Sequence, residues 1–395
     1  MTAATGRVRA AAVPLWRDVR VLRLGAQLAV VLVIGSILVF MALNFAAATE
    51  ERGLGFGFGF LGRQAGFEIS ESPIPYSATA TYGTAFLVGL LNTLFVSALG
   101  IVLATILGVG VGIARLSSNW LVRRIAGGYV ELMRNTPLLV QLVVIYFVLF
   151  LQLPAVRDSF SLGDAAFLNR RGLYLPGPST SDGFGLWLGF CAAGVVALVV
   201  ARIAARRLED ARRPSYRLRT IGLLAALALP VLGWFAAGGA PLTFDVPVLG
   251  TFNFTGGMNL STEFTALLTG LVIYTAAFIG EVVRGGIQAV RRGQLEAARA
   301  LGLSEGQVLR LVTFPQALRI IVPPLTNQYL NLAKNSSLAV AIGYPDLFKI
   351  GQTMSNQTGQ PVPVIVLVMG TYLVISLGIS GLMNLFNRRV QVAER

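Results

Sequence analysis

Residues 281–324 read EVVRGGIQAVRRGQLEAARALGLSEGQVLRLVTFPQALRIIVPP. Six arginines lie in this stretch, inside a chain of 395 residues that is 55% hydrophobic and only 13% charged. Soluble domains carry about 25% charged residues, so long apolar runs around a basic loop point to an integral membrane protein. Within the stretch, Gln294 to Leu301 is rich in strong helix formers and Gly302 follows as a natural stop. A helix over 294–301 places Ala297, Ala300 and Leu301 on one face, a small apolar patch suited to a partner's groove. Ser304 and Gln307 have the spacing of a capping box that starts a second helix. Pro315 and the pair Pro323-Pro324 are expected to interrupt the return into the membrane.

Working outward, the hydropathy predicts an all-α polytopic protein with about eight transmembrane helices, near 26–46, 84–114, 137–153, 186–201, 220–237, 262–280, 320–342 and 362–384. The first follows a basic start and ends on alanines, which mimics a signal peptide. Its length exceeds the usual apolar core of a signal, so it reads as a retained anchor. The second is longer than a bilayer needs, and Gly108 and Gly112 within it permit close helix contact. Thr136-Pro137 reads as a helix start for the third. The connections 154–185 and 238–261 read as turn-rich loops, 115–136 as a basic loop, and the Gly-Phe alternation at 53–60 as a flexible loop.

Charge sets the orientation. With the N-terminus inside, the inner segments hold 25 arginines and the outer ones six lysines or arginines, and Lys334 alone falls within a span. This asymmetry obeys the positive-inside rule and places both termini in the cytoplasm. It also attributes the formal charge of +14 to a face that meets anionic lipid headgroups, rather than to nucleic acid. The chain has no histidine and one cysteine, Cys191, which excludes histidine-based metal sites, His-dependent triads and intrachain disulfides. No lysine follows a glycine-rich phosphate loop, so any ATP work must be done by another chain. No nucleophile–base set is present for an enzyme.

Three readings remain: a permease subunit without catalysis of its own, a stand-alone secondary transporter or channel, and a membrane-bound enzyme. A secondary transporter is expected to carry mid-span carboxylates and repeat symmetry, but Glu263 and Glu281 sit only at span edges. Lys334 is the sole deep cation, and a central lysine costs about 2.5–3.5 kcal/mol on insertion scales. Asn92, Thr93, Asn327, Lys334, Asn335, Ser336 and Ser337 therefore form a candidate substrate path that could contact a carboxylate. The competing reading is that these groups cement packed helices.

The spacing of Glu296-Ala297-Ala298, Gly302 and Pro315 resembles the Glu-Ala-Ala loop of ABC importer permeases, with Val312 and Phe314 as conservative departures. Arg134-Asn135-Thr136-Pro137-Leu138-Leu139-Val140-Gln141 is similar to a segment of the polar amino-acid permeases, departing at Asn135. Glu281-Val282-Val283-Arg284-Gly285-Gly286-Ile287 is similar to the same subfamily, as is Lys334-Asn335-Ser336-Ser337-Leu338, departing at Asn335 and Ser336. The resemblance covers about 84–386, with an inserted helix pair at about 186–237. Residues 1–83 add a cytoplasmic tail, an anchor and a periplasmic loop, and 387–395 form a cytoplasmic tail. The overall layout looks like one permease subunit of the general L-amino-acid importers.

That resemblance implies an ABC importer permease fold in a bacterial inner membrane. It implies ATPase coupling through Gln294, Glu296, Ala297, Ala298, Ala300, Leu301 and Gly302, supported by Glu281, Arg284, Gly285 and Pro315. Implied partners are ABC ATPase subunits, a second permease that is a paralogue, and a periplasmic amino-acid-binding protein. No cofactor is implied for this chain, because the partner uses the ATP.

Overall fold

A computed structural model describes residues 19–51, 57–210 and 215–390. Arg7, Arg9 and Arg17, the start of the Gly-Phe run, Arg212, Arg213 and the last five residues lie outside the described residues. Twelve α-helices are present among those described: α1 (Val19–Glu51), α2 (Tyr82–Ala114), α3 (Trp120–Asn135), α4 (Leu138–Val144), α5 (Phe184–Asp210), α6 (Tyr216–Ala236), α7 (Thr262–Gln288), α8 (Arg292–Ala300), α9 (Glu305–Val308), α10 (Phe314–Asn335), α11 (Leu347–Thr358) and α12 (Pro361–Val390). Seven of the described helical segments are long and apolar enough to cross a membrane, or eight if α3 and α4 count as one bent span.

The core is built on α2 and α7. Both glycines singled out in α2 lie at this contact. A Cβ on Gly108 would stand 2.6 Å from the Cβ of Ile279, and one on Gly112 would stand 2.8 Å from the carbonyl oxygen of Gly280. Packing between membrane helices gains little from the hydrophobic effect, so close approach and dispersion must supply the attraction. Phe264, Leu267, Leu271 and Ile279 of α7 are fully buried, with Leu142 of α4 and Leu332 of α10 in the same cluster.

Five expectations need correction. The basic connection 115–136 is not a loop throughout, because α3 occupies most of it. Asn119 caps α3, its Oδ1 accepting from the amides of Leu121 and Val122. The third span is the shorter segment α4 plus a π-helical turn, Ile145–Phe150, and it meets α3 at a bend of 105°. Thr136 ends α3 and Pro137 precedes α4. A residue before proline is pushed out of the helical region, which explains the corner.

The prolines do not interrupt the seventh span. A π-helical turn, Leu309–Thr313, joins α9 to α10; Pro315 lies in the first turn of α10, and Pro323 and Pro324 sit inside it. The helical segment runs on through this π-helical turn into α10, with Pro315 supplying no amide donor at the join. Residue 323 and residue 324 are both on the exposed face, where the rings displace no buried neighbour.

The two turn-rich outer connections fold together. Strands β1 (Phe160–Leu162), β2 (Ala166–Asn169), β3 (Gly172–Leu175), β4 (Gly177–Thr180), β5 (Leu242–Asp245), β6 (Val248–Leu249), β7 (Phe254–Thr255) and β8 (Met258–Leu260) make a four-stranded sheet in the order β1-β2-β3-β8 and two ribbons, β4-β5 and β6-β7. Gly172, at φ +125°, lets β3 pass β8 where a Cβ would meet the Leu260 carbonyl oxygen at 2.1 Å. Tyr174 and Phe254 fill the small core of this platform. The strands are too short to show alternation, and the pairings that join the two connections, β3 with β8 and β4 with β5, lie far apart in sequence.

The first outer connection is also more ordered than a flexible loop. Phe60 is buried against Tyr82, Ile350, Met354 and Val364, with its ring edge-on to Tyr82. The region between the last two spans contains α11, begun by Asp346 accepting from the Lys349 amide and ended by Gly359 at φ +66°. At 12 residues α11 is about 18 Å long, too short to cross a bilayer. The pair α5/α6 packs mainly on itself: Gly222 faces Ala201, Gly233 faces Phe190, and the Trp187 indole donates to the Pro230 carbonyl.

Candidate functional site

The polar segment after α7 is a compact helix–turn–helix. The helix expected over 294–301 extends from Arg292 to Ala300, with Leu301 as its cap. Gly302 adopts φ +79°; its amide donates to the Arg299 carbonyl, and the Leu303 amide donates to Ala298. These two bonds form a Schellman stop, which requires a left-handed residue and therefore favours glycine. The capping box at Ser304 is present, with the Gln307 amide bonded to Ser304 Oγ and the Ser304 amide bonded to Gln307 Oε1. Arg299 clamps Glu305 through two bonds of 2.7 and 3.1 Å, which holds that carboxyl below its usual range and ties α8 to α9.

This stop sets the outward face of α8. Ala298 is buried and Leu295 packs on the core, three residues apart on the inner side. Gln294, Glu296, Ala297, Ala300 and Leu301 are exposed, Leu301 at 82%. Ala298 thus seats the helix on its own chain, while Ala297, Ala300 and Leu301 form the free apolar patch.

Glu281 is the hub above this segment. Its carboxylate accepts from Arg115 at the end of α2 and from Arg284 on α7 through bonds of 3.1 Å, and Arg134 of α3 lies 3.8 Å away. Arg134 also sits 5.4 Å from the centre of the Phe278 ring. One carboxylate therefore fixes three elements, α2, α3 and α7, near the start of the segment that follows α7. Among the support residues, Gly285 is exposed and meets nothing, whereas Gly286 makes the close approach: a Cβ there would lie 2.3 Å from Ile321 Cγ1. Pro315 is exposed on the first turn of α10.

The structure separates the seven candidate path residues. Asn92 donates to the carbonyls of Glu71 and Pro345, both at 2.9 Å, and Thr93 Oγ1 accepts from the Leu347 amide at 3.0 Å. Both are buried in packing. Ser336 and Ser337 donate back to the carbonyls of Ala333 and Lys334. Asn327 and Lys334 remain exposed, with Asn335 half-buried. Asn331, also exposed, joins Asn327 and Lys334 at spacings of four and three, so the three share one helix face. Lys334 and Ser337 border a cavity of about 390 Å³, closed by Gln352 and Ser355 of α11 and by Val368 and Tyr372 of α12.

At the opposite end lies a group that sequence reading missed. Glu71 of the first outer connection accepts a bond from Ser261 Oγ, the cap of α7, and neighbouring Glu263 accepts from Tyr146 at 2.7 Å. Burial raises the Glu71 carboxyl from its ordinary value to about 7; the Ser261 bond opposes this and the Glu263 charge adds to it. The available signal was Ser261 followed by Glu263 at the start of an apolar run, a helix-start pattern. Nothing local pointed to Glu71 as their partner.

These features define a multi-pass membrane protein. The chain belongs to the family described as binding-protein-dependent transport system inner membrane component, whose profile matches residues 100–392. It is a component of ABC importers, a transport protein rather than an enzyme. Over 372 residues it is 48% identical to the putative amino-acid ABC transporter permease protein YhdX of Escherichia coli K12, covering 93% of each chain. It is 45% identical to the general L-amino acid transport system permease protein AapQ of Rhizobium johnstonii, covering 93% of this chain and 92% of that one. Identity is 40% to the glutamate/glutamine/aspartate/asparagine transport system permease protein BztB of Rhodobacter capsulatus, over 96% of both. Among solved structures, an amino acid ABC transporter crystallised with histidines is similar over 78% of this chain and 95% of that one, at 24% identity and a TM-score of 0.47.

Proposed function

We propose that this chain is one of two permease subunits of an ATP-driven importer of L-amino acids in a bacterial inner membrane, with both termini cytoplasmic. The observation that carries the reading is the exposed polar face of α10, Asn327, Asn331 and Lys334, on a helix that spans the bilayer. Facing hydrocarbon, these groups would be costly, so the face belongs against a second permease and a hydrated path between the two. Lys334 supplies a cation for the α-carboxylate that every L-amino acid carries, and the adjoining cavity has apolar walls for a side chain. The names of the relatives support amino acids as the cargo and a paralogue as the second permease.

The exposed patch of α8 seats in an ABC ATPase subunit. Gln294 and Glu296 flank it, and Glu281 and Arg284 carry its movement to α2, α3 and α7. ATP stays on that partner, and this chain binds no cofactor. A periplasmic amino-acid-binding protein delivers substrate to the outer face. The pair α5/α6 is an accessory unit beside the transport core.

The test is reconstitution of the chain with its partners in proteoliposomes. Uptake of L-amino acids should require ATP inside the ATPase compartment and the binding protein outside. Lys334→Ala should raise the half-saturating substrate concentration or lower the rate. Uptake by the isolated chain without ATP would establish a secondary transporter instead. Unchanged uptake by Lys334→Ala would remove that residue from the path.

A further inference from the structure

A second cavity, of about 500 Å³, opens between the end of α2, α3 from Trp120 to Glu131 and the end of α7. Arg115, Arg123, Arg124 and Arg284 border it, with Glu131 as the one acid in the lining. Arg115 and Arg284 are held in place by Glu281, and Arg123 is braced by donating to the Ser117 carbonyl at 2.8 Å. Arg124 has no hydrogen-bond or ion-pair partner among the described residues. The acids facing the cavity and its rim, Glu131 and Glu281, leave an excess of positive charge.

Two further observations point to an occupant. Gly127 and Gly128 line the cavity in the middle of α3, where each costs about 1 kcal/mol of helix stability relative to alanine. Neither allows a close approach, since a Cβ at either would meet nothing within 4 Å; what the glycines preserve is open space. Beside this polar face, Leu121, Ile125 and Leu132 form an exposed apolar stripe, and Trp120 stands exposed at the cavity wall. The 105° bend sets α3 across the direction of α4, and α3 crosses the inner half of α7, with Tyr129 donating to the Ile273 carbonyl and Arg134 reaching Phe278 and Glu281. A helix so placed lies along the inner interface, with one side toward acyl chains and the other toward headgroups.

We propose that this cavity binds the phosphodiester headgroup of an anionic phospholipid, with the acyl chains lying along Leu121, Ile125 and Leu132. Arginine forks match phosphate oxygens in pairs, so Arg123 and Arg124 are the principal contacts and Arg115 and Arg284 supply the surrounding field. The inner leaflet, where the arginine asymmetry places α3, is where such lipids would be met. The site is independent of the amino-acid path and touches neither Lys334 nor the outward patch of α8.

The experiment is lipid binding to the assembled transporter in detergent, followed by native mass spectrometry. Three probes are titrated: a short-chain phosphatidylglycerol, the phosphatidylcholine of the same chains, and glycerol phosphate without chains. Phosphatidylglycerol should bind at least about tenfold tighter than phosphatidylcholine, and Arg123→Gln with Arg124→Gln should remove that preference through loss of paired charge-assisted bonds. Gly128→Leu keeps every charge, improves helix propensity and fills the cavity, so it should weaken binding while leaving the melting temperature equal or higher. Equal binding of the two lipids, or unchanged binding in both variants, would overturn the proposal. Glycerol phosphate binding as tightly as the lipid would also overturn it, in favour of a free-phosphate site.

Discussion

The chain contains two close helix pairs, α2/α7 and α5/α6, and they differ in what surrounds them. In both, glycines bring backbones together: Gly108 and Gly112 against Ile279 and Val283 in the first, Gly222 and Gly233 against Ala201 and Phe190 in the second. Yet 56% of the apolar window of α7 is buried, against 11% for each of α5 and α6. The first pair is enclosed by α4, α10 and α11, and it ends on the Glu281 hub. The second has only itself and the β4-β5 ribbon at its outer end. A small-residue contact therefore makes a helix pair, but a core requires further elements on the remaining faces. The charge cluster around Glu281 lies where α2 ends against α7, and α8 follows directly from α7.

That contrast can be broken most forcefully at the glycines. Gly108→Leu should abolish recovery of folded protein, since overpacking costs about 1–3 kcal/mol even where side chains can adjust, and here the nearest atoms include the Ala276 carbonyl oxygen at 3.0 Å. Gly222→Leu, which meets the Ala201 Cβ at 2.4 Å, should loosen α5/α6 while the transporter still assembles and takes up substrate. Size-exclusion profiles and uptake on both variants decide this, and equal loss would erase the distinction between core and accessory pair.

The next effect lies on the docking patch. Ala297→Asp places a charge on the exposed face of α8 without touching the core, so the protein should reach the membrane in normal amount and uptake should be lost. Gly302→Glu should do the same, with an added ~1–2 kcal/mol for a side chain in the left-handed region. Membrane abundance by immunoblot beside ATP hydrolysis and uptake is the measurement; coupled hydrolysis in either variant would remove α8 from the ATPase interface.

Glu281→Gln should be milder. It leaves Arg115, Arg284 and Arg134 facing one another, at a cost of roughly 2 kcal/mol for losing a charged hydrogen-bond acceptor. A lower melting temperature together with ATP hydrolysis that no longer drives uptake is expected. A change in stability alone would make Glu281 a packing residue only.

The narrowest expected effect, confined to pH dependence, is at Glu71. Its carboxyl titrates near 7 in the folded chain, above the ordinary 4.5, so the folded state holds this proton more tightly than the unfolded one. The stabilisation is present below about pH 4.5 and is lost as pH rises through 7, bounded at about 3 kcal/mol by 1.36 kcal/mol per unit. Glu71→Gln should remove this pH dependence from the melting temperature between pH 5 and 8, a range set by the same linkage.

Much of the docking segment was legible along the chain. Gly302, Ser304 and Gln307 act through bonds within six residues, so their pattern predicts the Schellman stop and capping box directly. The same logic would have found α11, framed by Asp346 and Gly359, had its short length not hidden it among loop residues. The path residues were harder to read. Asn92 and Asn327 are the same residue type in expected spans; one is consumed by the carbonyls of Glu71 and Pro345, the other stays exposed.

Hydropathy and arginine placement decide where this chain enters the bilayer, which way it faces and which segment stands in the cytoplasm, because each is a sum over neighbouring residues. Tertiary structure alone decides which polar groups are spent on packing, that Glu281 gathers three arginines, that Gly286 rather than Gly285 makes the close approach, and that two distant outer connections share a sheet. Those outcomes depend on what lies opposite a residue, and in a bundle of long helices the residue opposite comes from a segment far away in the chain.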